Sequence, residues 1–197
     1  MKKSISFVFI LTLLFSIGIF CHLSSKTALG GDETKKNPSS TKQTNTLTWY
    51  KYDEGLAKAK KEKKHILVDF YTNWCGWCKR MDKNTYGDEE VKKVLIKNYV
   101  PIKVNAESKD QVEVDGKKIT ETQLAREQYK VRSYPITWFL KPSGEKIAPY
   151  LGYVDAPNFL KVLNYMKDDL YDKMSFDEYL KNQDKEKDSE KKSGSSP

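Results

Sequence analysis

Apolar and polar positions divide the chain into four stretches. Residues 1–30 hold 17 apolar side chains, residues 31–46 none, residues 47–180 hold 58, and residues 181–197 none. A stretch without apolar side chains buries nothing and cannot offset the entropy of ordering its backbone. The pattern predicts one folded domain over 47–180, a flexible linker over 31–46 and a disordered charged tail over 181–197. Two separate cores do not fit within a domain of that size.

Inside the domain the period changes from element to element. Asp53 can cap a helix running to about Lys64, with Leu56, Ala57 and Ala59 on its inner side. Ile66–Tyr71 is a continuous apolar run with branched and aromatic members, which reads as a buried strand. Thr72–Met81 reads as a strand-to-helix junction. Asp88 can cap a helix that places Val91, Val94 and Leu95 on one face, and Tyr99–Asn105 reads as a second strand. Gln111–Val114 and Lys117–Thr120 alternate in polarity around Asp115-Gly116, a strong two-residue hairpin signal. Thr120 with Gln123 resembles a capping box that opens a helix through Tyr129.

Ile136–Leu140 reads as a third main strand, turned by Pro142-Ser143-Gly144 into a fourth, Lys146–Leu151. Asp155 can cap the last long helix, with Pro157 tolerated in its first turn and Phe159, Leu163, Met166 and Leu170 as its apolar stripe. Phe176, Tyr179 and Leu180 predict a short extra helix. This order of elements predicts an α/β fold: a mixed central sheet flanked by helices, with a hairpin insertion around 106–121.

Charge alters the picture at the N-terminus. Of the net +8, residues 1–30 carry +3 without a single acid, and the predicted domain carries only +3. That surplus is diffuse, with lysines alternating with acids, so nucleic-acid binding is not expected. Lys2-Lys3 followed by the apolar run Ile5–Phe20 fits a secretory signal, because sixteen residues fall short of the roughly 20 a spanning helix needs. Ala28 and Gly30 supply small residues before a possible cut at Gly31; an uncleaved anchor is the alternative. Cys21 follows the apolar run as a lipidated cysteine does in bacterial lipoproteins, but Phe20 stands where a small residue is usual.

With Cys21 set aside, the remaining cysteines are Cys75 and Cys78, in a C-x-x-C arrangement. A closed zinc site needs two more ligands, and the only histidines are His22 and His65. Haem attachment needs a histidine at 79, which is Lys79. No metal or other cofactor is expected. What remains is a redox dithiol, or a buried inert pair. At the first turn of a helix, Cys75 feels the positive end of the helix dipole, and free amides there can donate to a thiolate. Cys75 is therefore expected to be the exposed nucleophile, and Cys78, one turn later and more buried, the resolving thiol.

Val68-Asp69-Phe70-Tyr71-Thr72-Asn73-Trp74-Cys75-Gly76-Trp77-Cys78-Lys79 closely resembles the thioredoxin active-site segment, with Gly-Trp where that family usually has Gly-Pro. Lys103-Val104-Asn105, Tyr134-Pro135-Ile136-Thr137 and Gly152 match further family positions, and the resemblance covers about residues 48–171. It is closest to exported thioredoxin-like proteins and the C-terminal domain of the thiol:disulfide interchange transporter.

The resemblance implies a thioredoxin fold and a catalytic set of Cys75, Cys78, Asp69 as proton acceptor and Lys103 modulating Asp69. It also implies substrate contacts from Trp74, Gly76, Trp77, Tyr134 and a cis Pro135. Read on the residues alone, Asp69 could instead point to solvent, and Pro135 could be an ordinary trans proline at a strand start. Trp74 and Trp77 could contact substrate or simply shield the disulfide. Lys79 and Arg80 lie beside the thiols, and His65 reads as a strand-boundary residue.

The expected activity is thiol–disulfide exchange on disulfide-containing envelope proteins. Gly-Trp lacks the histidine of strongly oxidising relatives, which favours a reductant reset by a membrane electron-transfer partner. A monomer is expected, periplasmic or elsewhere in the cell envelope, touching a membrane only through an uncleaved or lipidated N-terminus. The alternatives are a binding or chaperone module with a structural disulfide, and a metal-delivery dithiol.

Overall fold

The computed structural model describes residues 46–193. The predicted signal, Cys21, nearly all of the linker and the last four residues lie outside them. Six strands form among the described residues: β1 (His65–Tyr71), β2 (Tyr99–Asn105), β3 (Gln111–Val114), β4 (Lys117–Thr120), β5 (Ile136–Leu140) and β6 (Lys146–Leu151). Four of them make a sheet in the order β2-β1-β5-β6, and β3 and β4 make a separate hairpin. β1 runs parallel to β2 and antiparallel to β5, so the sheet is mixed. At the hairpin tip Asp115 and Gly116 both have positive φ, the geometry a two-residue turn of this type requires.

The helices are α1 (Tyr52–Glu62), α2 (Gly76–Asn84), α3 (Glu89–Asn98), the single turn α4 (Glu121–Gln123), α5 (Ala156–Lys167) and α6 (Phe176–Ser193). Asp88 caps α3 by accepting from the Glu90 and Val91 amides, and Asp155 caps α5 by accepting from the Asn158 amide. Thr120 and Gln123 close a reciprocal capping box on α4.

Four local expectations need correction. Asp53 does not cap α1. Lys51 holds that position without a side-chain bond, and Asp53 lies in the first turn, where its charge meets the positive helix end. The helix begun by α4 widens into a π-helix over Leu124–Gln128 instead of running to Tyr129 as an α-helix. The wider turn sends Tyr129 into the core, where its hydroxyl meets that of Tyr52 at 2.8 Å. Leu170 is not on α5. Asp169 adopts a left-handed φ and breaks the helix, and Leu170 opens a 3-10 turn. Finally, α6 is not short: it runs to Ser193, through most of the stretch 181–197 expected to be disordered. That stretch holds good helix formers (Lys, Glu and Gln) and no glycine or proline before Gly194, so nothing stops the helix once Phe176 and Tyr179 anchor it.

The core lies on both faces of the sheet, and β1 supplies each by strict alternation. Ile66, Val68 and Phe70 pack with Val100, Ile102, Val104, Leu124 and Tyr129. Leu67 on the other face packs with Met81, Tyr86, Leu95, Phe139, Phe159 and Leu163. Asp69 has the parity of Leu67, so an ionisable group sits at an interior position. Register places it opposite Lys103 on one neighbour and Thr137 on the other.

α1 approaches β2 through Gly55. A Cβ there would lie 2.3 Å from Cγ1 of fully buried Ile102. Gly55→Ala gains helix propensity, but overpacking outweighs it. Thermal denaturation is expected to show a net loss of about 1–2 kcal/mol. A raised Tm would show that Ile102 moves aside freely.

Candidate active site

β1 delivers the chain to the dithiol. After Tyr71 comes a tight turn in which the Cys75 amide donates to the Thr72 carbonyl at 3.2 Å. Cys75 then takes the N-cap position of α2, with extended backbone, and its Sγ accepts from the Cys78 amide at 3.1 Å. The sulfur thus occupies the place a Ser or Asp oxygen takes in an ordinary cap. No acid occupies the first turn of α2, so its positive end is not neutralised locally and favours negative charge on Cys75.

Cys75 and Cys78 are joined as a disulfide with Cα atoms 5.3 Å apart. Both are 4% exposed, which corrects the expectation of an open Cys75 beside a more buried Cys78. In the closed disulfide each sulfur faces the other, and the accessible surface passes to the neighbouring indoles. Trp74 is 67% exposed and Trp77 54%. Gly76 between the cysteines is exposed, and a side chain added there would meet nothing.

The indoles are supported from distant parts of the chain. Trp74 meets Tyr134 edge-on, with ring centroids 6.0 Å apart, and donates through Nε1 to both carboxylate oxygens of Glu107 at 3.0 Å. Trp77 lies 5.4 Å from the Tyr153 ring and under the Arg80 guanidinium at 4.9 Å. The Tyr134–Pro135 bond is cis, and the Pro135 carbonyl accepts from the Gly152 amide at 2.9 Å. Lys79 is exposed one residue beyond the dithiol. His65 stands at the far end of β1, paired with Asp169 at 3.0 Å.

Within β1, six residues before Cys75, Asp69 is 2% exposed, which excludes the solvent-facing alternative. Its Oδ2 lies 3.7 Å from Lys103 Nζ, and Oδ1 has no protein partner. Lys103 also pairs closely with Asp82 and sits over the rings of Trp49 and Tyr71. Burial pushes the Asp69 carboxyl up to about 7, against the opposing pull of Lys103, with the Asp82 charge adding to the rise. The neighbouring Tyr86 hydroxyl bonds Thr137 Oγ1 at 3.0 Å, and burial holds that phenol neutral. The strand-to-helix unit therefore carries a dithiol at the helix N-terminus and, within the strand, a buried carboxyl raised to about 7. Among the described residues no group of three or more His, Cys, Asp or Glu side chains could hold a metal ion.

Strand register brings Lys103 and the Tyr134–Pro135 segment to the part of β1 that holds Asp69 and leads into the dithiol, whereas His65 lies at the other end and Cys21 outside the described residues. Asp82, Glu107 and Tyr153 escaped the sequence reading. Asp82 lies four residues after Cys78 on the same helix, and that spacing could have suggested it. Nothing local singles out Glu107 or Tyr153.

Residues 52–167 match the thioredoxin-like domain family. The thiol:disulfide interchange protein DsbD of Campylobacter jejuni (strain RM1221) is 28% identical over 170 residues, covering 81% of this chain and 26% of that protein. Human spermatogenesis-associated protein 20 is 31% identical over 70 residues, covering 35% of this chain and 9% of that protein. The chain thus spans about a quarter or less of the length of these relatives. A thioredoxin-fold protein from Helicobacter pylori superposes with a TM-score of 0.52 at 23% identity, covering 67% of this chain and 92% of that one, a likeness of fold. With more than half its length matched, and the dithiol, buried aspartate and cis proline arranged around one sheet end, the chain belongs to the thioredoxin-like family.

Proposed function

We propose that this protein is a thiol–disulfide oxidoreductase that reduces protein disulfides in the cell envelope. The observation that carries the reading is the Cys75–Cys78 pair at the N-terminus of α2 above a buried carboxyl raised to about 7. In the reduced protein, the Cys75 thiolate attacks one sulfur of a substrate disulfide, and the other sulfur leaves as a thiolate and takes a proton. Asp69 accepts the Cys78 proton, through water. The Cys78 thiolate then attacks Cys75 Sγ and releases the second substrate thiol. Two electrons and two protons reach the substrate, and the Cys75–Cys78 disulfide remains.

Lys103, which lies beside Asp69, and Asp82 border an open hollow. Trp74, Gly76, Trp77 and the Tyr134–Pro135 segment form the substrate face. The absence of a histidine between the cysteines supports the reductant direction, and similarity to a protein named for thiol:disulfide interchange supports exchange as the chemistry. A reductant outside the cytoplasm needs electrons from elsewhere, so a membrane electron-transfer protein resets it. The basic start and the apolar run Ile5–Phe20 support export.

Replacing the resolving thiol tests the reading. Cys78→Ser, reduced and exposed to envelope extract, is expected to accumulate mixed disulfides on Cys75, seen as adducts that a reductant removes. The low exposure of both cysteines favours the rival reading, a closed structural staple in a binding module. A Cys78→Ser protein that forms no adducts would favour that rival.

A further inference from the structure

Lys103 is the solvent side of its pair with Asp69: its side chain is 20% exposed, against 3% for the aspartate. A cage of rings covers the lysine. The centroid of the Trp49 ring lies 4.9 Å from Nζ, that of Tyr71 5.1 Å and that of Tyr86 6.0 Å. Tyr71 belongs to β1 and Tyr86 follows α2, so the unit that carries Asp69 also sets both of these rings. Trp49 comes from elsewhere. It lies before α1, in a short stretch clasped to the edge of β2 by two backbone bonds. The Tyr50 amide donates to the Pro101 carbonyl at 3.0 Å, and the Lys103 amide donates to the Tyr50 carbonyl at 3.2 Å. The indole meets Tyr86 edge-on, with ring centroids 4.9 Å apart, and walls the hollow that Lys103 and Asp82 border.

We infer that Trp49 is a positioning residue that caps Lys103 and keeps water from the Asp69 carboxyl that serves the dithiol. The service to the dithiol rests on the oxidoreductase reading; the cap does not. The titratable groups facing Asp69 are Lys103 from β2, Asp82 from α2, Tyr86 beyond α2 and Tyr71 on its own strand. Burial raises the carboxyl and Lys103 lowers it, and burial is the stronger influence. Without the indole, water approaches from the lysine side and burial weakens. A loosened Lys103 pulls the other way, through the weaker influence. The net result is a carboxyl that ionises at lower pH.

The test compares Trp49→Ala with Trp49→Phe, which keeps an aromatic face over the ammonium. The Asp69 carboxyl is titrated by 13C NMR in the oxidised protein, where no thiol ionises, and the pH profile of insulin reduction is measured beside it. Trp49→Ala is expected to lower the carboxyl midpoint by about one pH unit and to carry the acid limb of insulin reduction down with it. Trp49→Phe is expected to stay within about 0.3 unit of the wild-type protein. If circular dichroism shows that Trp49→Ala does not fold, Trp49→Gln, which keeps bulk but admits water, is judged by the same shift. An unmoved midpoint in a folded Ala or Gln variant overturns the inference, since Trp49 would then only pack. So does a Phe variant that moves as far as the Ala variant. A midpoint that falls while the acid limb stays in place supports the cap and overturns Asp69 as the proton acceptor. A wild-type protein that reduces no insulin overturns the oxidoreductase reading, and the cap is then decided by the carboxyl titration alone.

Discussion

Asp69→Asn is expected to make the protein more stable at pH 8 and less active. A carboxyl that titrates near 4 in the unfolded chain titrates at about 7 in the fold, because burial disfavours its charge. Between those values the folded state keeps a proton that the unfolded state has released. Stability therefore falls as pH rises from about 4 to 7, and stays lower above that window. Asparagine has no proton to lose, so the variant avoids the loss. The full shift corresponds to about 4 kcal/mol, and a gain of about 2–4 kcal/mol is expected in urea unfolding at pH 8, shrinking towards zero at pH 4. Lys103 is not stranded by the change, because Asp82 still pairs with it. Without an internal proton acceptor, release of the mixed disulfide is expected to slow about 10²-fold. A variant less stable than wild type at pH 8 would show that Lys103 compensates the buried charge in full.

The second large effect concerns the nucleophile. Cys75→Ser is expected to lower insulin reduction by at least about 10³-fold, since a serine hydroxyl is far from ionised at neutral pH and the helix end cannot make it so. The fold is expected to persist. The short loop closed by Cys75 and Cys78 removes little entropy from the unfolded chain, and the core on both faces of β1 does not depend on it. Circular dichroism separates loss of chemistry from loss of structure. Retained insulin reduction in a folded Cys75→Ser protein would remove the proposed mechanism.

Much of the fold could be read from local pattern. β2, β5 and β6 begin and end where the sequence predicted, because turn formers or caps bound each run. The hairpin was marked by Asp115-Gly116, and Asp88, Thr120 and Asp155 marked three helix starts. The π-helix was not legible, because it answers to the Tyr52–Tyr129 contact 77 residues apart. The persistence of α6 was masked by composition: a segment with nothing to bury can still be helical when its residues favour it. At the site, Asp69 stood out as an acid within an apolar run. Its pairing with Lys103 follows from strand register, which resemblance supplied and local pattern did not. Asp82 and Glu107 act across elements, on a lysine and an indole that only the folded sheet brings near.

The β1–β5 pairing has a consequence for the chain during its synthesis. Cys75 emerges 60 residues ahead of Pro135, and Tyr153 later still. Until β5 docks on β1, the Tyr134 side of the groove does not exist and Asp69 is still hydrated. A partly made chain therefore carries a reactive dithiol without the features that choose its partners. On the proposed function, selectivity belongs to the finished sheet and not to the tetrapeptide Cys75–Cys78, and a nascent chain depends on its surroundings to keep its sulfurs from reacting too soon.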